Sequence, residues 1–114
     1  MIISRQQKGD VWIISLVGVL DEMSELVGEG GELLDSGASK IAVDLSGVSM
    51  ITSAGLSQLV QLTARANTQQ SAFVLSGPTP FVRGVFETTR LIKFFEVHDD
   101  MDAALSTLSN RTRP

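Results

Sequence analysis

The stretch IAVDLSGVSMITSAGL, residues 41–56, decides the fold. Its first half is apolar and β-branched, the pattern of a buried strand. The pattern breaks at Gly47, and order resumes at Ser53-Ala54-Gly55-Leu56. From Leu56 onward, Leu56, Leu59, Val60, Thr63 and Ala64 fall at helical spacing on one stripe. A strand therefore hands over to a helix, and the hydroxyls of Ser49, Thr52 and Ser53 gather at the handover. A helix start presents unpaired N–H groups and the positive end of the macrodipole. Ser53 is then either a helix cap or an addressable hydroxyl. A phosphate placed on it would add about −1.5 to −2 charges where the helix tolerates them. Leu56 stands where a capping box would need Glu or Gln, so Ser53's local role stays open. Gly55 either relieves crowding in the first turn or lets a partner's backbone come close.

Working outward, residues 1–6 suit an edge strand. Lys8-Gly9-Asp10 is a turn, and residues 11–17 form a nearly apolar strand, so the two strands make a hairpin. Gly18-Val19-Leu20-Asp21 leads into an amphipathic helix marked by Met23, Leu26, Val27, Gly30, Leu33 and Leu34. Gly28, Gly30 and Gly31 each weaken it by up to about 1 kcal/mol. They allow close packing, or the helix is frayed or split. Gly37 is a candidate left-handed cap. Residues 40–45 are the next strand, and residues 46–52 a loop. Residues 72–76 are a fourth strand closed by Gly77-Pro78, and Thr79-Pro80 starts a helix with Phe81, Val82, Val85, Phe86 and Thr89 inward. Residues 94–97 make a short strand. Asp99 or Asp100 caps a last helix with Met101, Ala104, Leu105 and Leu108 inward.

The order is β-β-α-β-α-β-α-β-α. It implies an α/β sandwich: a small mixed, mainly parallel sheet with about four flanking helices. Residues 1–110 form one domain, and residues 111–114 a polar tail in which Arg111 and Arg113 are solvated.

Composition narrows the function. The 114 residues carry a net charge of −4 and no run of Lys and Arg, which gives no support to nucleic-acid binding. Hydrophobic residues at 43% and charged residues at 19% suit a globular core. The absence of cysteine excludes disulfides, thiol catalysis and thiolate metal sites. One histidine, His98, builds no multi-histidine site, and it reads as an exposed loop residue. No apolar run reaches a membrane span, and the N-terminus lacks a secretory pattern, so a cytoplasmic location is expected. Asp21 and Asp44 fall at the carboxyl ends of strands, where sites gather. No histidine or third carboxylate accompanies them, so loop solvation or helix capping by Asp21 is the plainer reading. Gly77-Pro78-Thr79-Pro80 lacks the spacing and lysine of a P-loop. Trp12 reads as core. No catalytic group, metal site or cofactor is expected.

Gly18-Val19-Leu20-Asp21, then Val43-Asp44-Leu45-Ser46-Gly47-Val48, then Thr52-Ser53-Ala54-Gly55-Leu56 together resemble the STAS domain, whose type members are bacterial anti-sigma-factor antagonists. The resemblance runs over nearly the whole chain. It implies partner switching. An unphosphorylated antagonist sequesters an anti-sigma factor that is also a serine kinase, and so frees a sigma factor and transcription. Phosphorylation breaks the complex, and a serine phosphatase resets it. By this resemblance Ser53 is the phospho-acceptor, with Thr52 as second candidate. Asp21, Ser49, Thr52, Ser53, Ala54, Gly55 and Leu56 form the partner surface, and Asp44 is the strand-end aspartate before the acceptor loop. The chain departs from the family pattern in carrying Thr52 where an aspartate often precedes the acceptor, and Ala54 where a second hydroxyl often follows. STAS domains also serve in stressosomes, in anion transporters and as accessory subunits of lipid-transport ATPases. Those are the alternative roles, and a constitutive subunit is the leading one.

Overall fold

A computed structural model of the chain describes residues 1–111. The hairpin forms as expected: β1 (Ile2–Lys8) pairs antiparallel with β2 (Val11–Leu20) across the two residues Gly9 and Asp10. The remaining elements are α1 (Leu26–Asp35), β3 (Lys40–Ile51), α2 (Ser53–Thr68), β4 (Ala72–Ser76), α3 (Pro80–Thr88), β5 (Val97–His98) and α4 (Met101–Ser109). The strands lie in the order β1-β2-β3-β4-β5, and every pair after the first is parallel. This is the mixed, mainly parallel α/β sheet with four helices that the element order implies.

The core divides along the pleat. Ile14, Leu16, Leu20, Ile41, Val43, Leu45 and Leu75 face α1, α2 and α3, meeting Leu26, Leu33, Leu59, Leu62, Val82 and Phe86. The opposite face is covered by α4 alone, with Ala104 and Leu108 seated on Val11, Ile13, Ala42 and Val74. Burial of these side chains is the main favourable contribution to the fold, at about 1.5–3 kcal/mol for each large one. Towards the carboxyl end of β2, α4 no longer reaches, and Val17, Val19 and Met50 are exposed. No helix among the described residues is long and apolar enough to cross a membrane.

Several features differ from the sequence expectation. Residues 46–51 are not a loop, because β3 runs on to Ile51. Its pairing with β4 ends at Asp44↔Ser76, but its pairing with β2 continues to Ile51↔Leu20 through two register shifts. Asp44 is therefore interior to the strand. Gly47 does not break the strand; it admits β3 so close to β2 that a Cβ there would lie 2.7 Å from the Leu16 carbonyl oxygen. Helix α1 starts at Leu26, leaving Met23 outside it and 82% exposed. It is continuous through its glycines. Gly30 lies against Leu62, whose side chain a Cβ would meet at 2.8 Å, so α1 and α2 pack closely. At its end Gly37 (φ 90°) and Ala38 donate to the carbonyls of Leu34 and Leu33, a Schellman closure.

The α2 stripe is rotated: Gly55, Leu59, Leu62 and Ala66 are buried, Val60 is half-buried and Ala64 exposed. On α3, Val82 and Phe86 point inward and Phe81 is exposed. Phe94 and Phe95 do not form a strand. They follow a 3₁₀ turn over Leu91–Lys93, and Phe95 packs tilted on Phe86 with ring centroids 5.0 Å apart.

Candidate functional site: the start of the second helix

The site forms where β2 and β3 end side by side and α2 begins. The Thr52 N–H donates to the Leu20 carbonyl at 3.0 Å, so the last residue of β2 anchors the residue that opens α2. Thr52 is extended (φ −95°, ψ 171°), and its hydroxyl oxygen accepts from the Gly55 N–H at 3.2 Å. Thr52 is the helix cap. Ser53 is not the cap. It is the first helical residue, exposed, and its hydroxyl takes no part in that bond. The two readings of Ser53 left open by sequence are thus separated, because the capping duty falls one residue earlier.

Gly55 has an internal reason to be glycine. A Cβ there would lie 2.1 Å from the Leu20 carbonyl oxygen and 2.6 Å from its carbon. Crowding comes from β2, and the space beside Gly55 is filled from within the chain. Among the seven residues expected at a partner surface, Ser49, Ser53 and Ala54 are exposed. Asp21 and Thr52 are half-buried, and Gly55 and Leu56 are buried. All seven lie within this one corner. The Ser49 hydroxyl donates to the Gly18 carbonyl at 3.4 Å.

Asp21 does not cap α1. Its carboxylate accepts from the Met23 N–H at 2.9 Å and from the Ser24 hydroxyl at 3.4 Å, folding the β2–α1 loop on itself. The N-cap of α1 is Glu25, which makes no side-chain cap bond. Gln58 substitutes for it, a residue that sequence reasoning missed. Its amide nitrogen donates to the Asp21 carbonyl at 2.8 Å, and its amide oxygen accepts from the Val27 N–H at 3.2 Å. Between loop and helix lies an open groove of about 530 Å³, bordered by Glu22, Glu25, Ala54, Ser57 and Gln61. Glu22 and Glu25 make the rim acidic, and Met23 stands exposed between them in sequence.

Other candidates resolve simply. Asp44 accepts from the Ser46 N–H at 2.9 Å and is not joined to Asp21 in any group of three potential metal ligands; no such group occurs among the described residues. Thr79 caps α3 by accepting from the Val82 N–H at 3.3 Å, with Pro80 in the first turn. Asp100, not Asp99, caps α4. Trp12 is half-buried against the larger core. His98 is not an exposed loop residue: it lies in β5 with its ring 2.8 Å from the Glu96 carboxylate. Nor is Arg111 merely solvated, since its guanidinium also bonds Glu96. Residues 112–114, the rest of the expected tail with Arg113, lie outside the described residues. Burial pushes the Glu96 carboxyl up, but hydrogen bonds and charge from His98 and Arg111 outweigh it and hold the group below its ordinary value. Asp10 is also held low, chiefly by its hydrogen bond to the buried Lys40 at 2.9 Å.

The family model described as Mlab, STAS domain matches residues 3–106. The chain belongs to the STAS domain family. No curated protein sequence matches it. Among solved structures, this STAS domain superposes on an anti-sigma factor antagonist from Mycobacterium paratuberculosis with a TM-score of 0.87 at 22% identity, over 96% of this chain and 94% of that one. It superposes on the Bacillus cell fate determinant SpoIIAA in its phosphorylated form with a TM-score of 0.74 at 17% identity, over 94% and 99%. A sulfate transporter family protein from Wolinella succinogenes gives 0.76 at 18% identity, over 90% and 87%. These likenesses establish a shared fold.

Proposed function

We propose that this STAS domain is an anti-sigma-factor antagonist controlled by phosphorylation of Ser53. In this reading it is a cytoplasmic, non-enzymatic binding module of a bacterial transcription switch. Unmodified, it sequesters an anti-sigma factor with serine-kinase activity; phosphorylated, it lets that partner go, and a serine phosphatase restores it. The observation that carries the proposal is the division between Thr52 and Ser53. The first hydroxyl is engaged in the cap, and the second is exposed beside it. This also favours Ser53 over Thr52 as the acceptor. Phosphate at the first position of α2 meets free N–H groups and the positive dipole end, so the fold tolerates it. A partner surface that had covered an uncharged hydroxyl does not tolerate it without a matching cation. The likeness to an antagonist and to a phosphorylated determinant supports the same reading.

The test is incubation with ATP and a serine kinase of the anti-sigma-factor type from the same organism, followed by phosphosite mapping. Phosphate at Ser53, its loss in S53A, retained binding by S53A and weakened binding by a folded S53D are expected. Absence of phosphate from Ser53 overturns the proposal. A second reading, a constitutive subunit of a transport assembly, has support in the likeness to a sulfate transporter family protein and in Thr52 standing where an acid often precedes the acceptor. Purification of the native complex with a transport ATPase in place of a kinase would select it.

A further inference from the structure

We propose that Gln58 is a positioning residue: it braces the β2–α1 loop against α2 and so presents Met23 and Ser53 to a partner as one rigid surface. The brace rests on side-chain geometry, and its consequence for binding rests on the proposed function. Gln58 is 8% exposed, an amide buried at the floor between the β2–α1 loop and α2. Such a group is costly to bury unless both ends are bonded. Both are, and both partners lie on the backbone some thirty residues away, at Asp21 and Val27. These two points are the ends of one segment. Between them Met23 projects at 82% exposure, flanked by Glu22 and Glu25. The helix that supplies the brace begins with Ser53, five residues earlier. Because Glu25 leaves α1 without a side-chain cap, Gln58 supplies a partner for the Val27 N–H that the first turn lacks. Loop, α1 start and acceptor helix are thereby held in one register. The partner chemistry this surface fits is an apolar socket for Met23 with Lys or Arg on the loop side facing the exposed Glu22 and Glu25, and an uncharged surface over Ser53.

The test compares wild type, Q58L and Q58E as full chains. Leucine fills the space and bonds neither end. An ionised carboxylate still accepts from the Val27 N–H but repels the Asp21 carbonyl; once protonated, it donates there again. Burial raises the carboxyl's pKa, so protonation falls within an accessible range. Amide exchange by NMR should show the Val27 protection factor reduced about tenfold or more in Q58L, beyond any change in the β3 amides. Q58E should keep Val27 protected at both pH values, but at pH 8 it should lose protection at the loop amide of Ser24, which bonds the Asp21 carbonyl, and regain it at pH 5. The wild type at both pH values controls for titration of Asp21, Glu22 and Glu25. In the binding arm, the anti-sigma-factor kinase used in the phosphorylation test should bind Q58L about tenfold more weakly than wild type, with Q58E recovering affinity at the lower pH. Unchanged Val27 protection in Q58L overturns the brace. A loosened loop with unchanged kinase affinity overturns the positioning role. A kinase that fails to bind wild type overturns the proposed function instead, and the exchange arm alone then decides the brace.

Discussion

Replacing Gly55 with alanine should cost this domain a large part of its stability, although alanine is the better helix former. The added Cβ would sit 2.1 Å from the Leu20 carbonyl oxygen, about 1.3 Å short of the 3.4 Å where ordinary contact begins. Backbone, not a flexible side chain, stands in the way. Either α2 shifts off the end of β2 or its first turn unwinds, and in both cases the Thr52 N–H loses its bond to Leu20. Overpacking of this kind costs about 1–3 kcal/mol. The lost hydrogen bond adds about 1 kcal/mol, and helix propensity returns about 1 kcal/mol. A net loss of roughly 1–3 kcal/mol follows, seen in urea titration as a midpoint lowered by roughly 0.5–2 M. Gly28 and Gly84 serve as controls, since a Cβ at either meets nothing within 4 Å. G28A and G84A should each stabilise by about 0.5–1 kcal/mol. A G55A protein as stable as wild type would refute the view that β2 and α2 are in backbone contact at this corner.

Three further outcomes are expected. Gln70 occupies the left-handed position (φ 57°) after α2, so Q70G should stabilise the chain by about 0.5–1 kcal/mol in the same titration; a loss would contradict the closure. The Thr63 hydroxyl is buried without a hydrogen-bond partner, so T63V should raise stability by about 1 kcal/mol; a lower melting temperature would show that the hydroxyl is bonded after all. Glu96 is held below its ordinary value of 4.5, so its contribution is present above that pH and is lost as pH falls through the lower folded value. E96Q should therefore show a shallower acid-side decline in unfolding free energy than wild type; an equally steep decline would count against the His98–Glu96–Arg111 cluster.

The element order and both faces of the sheet were legible in the sequence because apolar periodicity survives in short segments. The upper half of β3 was not. Ser46, Gly47 and Ser49 look like a loop, and no helix covers the face carrying Met50, so the two buried residues Val48 and Ile51 do not make a strand alternation. Its strand character comes from pairing with β2, a long-range contact that local propensity does not register. Phe94 and Phe95 misled in the opposite sense, being apolar enough for a strand but packed as a turn on Phe86. The start of α2 was placed to within a residue. Thr52 and Ser53 are both able to cap, and only the backbone angles assign the duty. Gln58 was invisible because both its partners are main-chain groups, which carry no sequence signature. Met23 was read as helical because its spacing continued that of Leu26 and Gly30.

The separation of Thr52 from Ser53 has a consequence for how this chain can change over generations. Replacing residue 52 by anything other than another capping residue removes a structural bond and costs about 1 kcal/mol of stability, whereas replacing residue 53 removes none. Drift can therefore silence, restore or recolour the outward hydroxyl while the scaffold stays untouched. Descendants that abandon the switch should keep an intact cap beside a serine that has become alanine, glycine or asparagine.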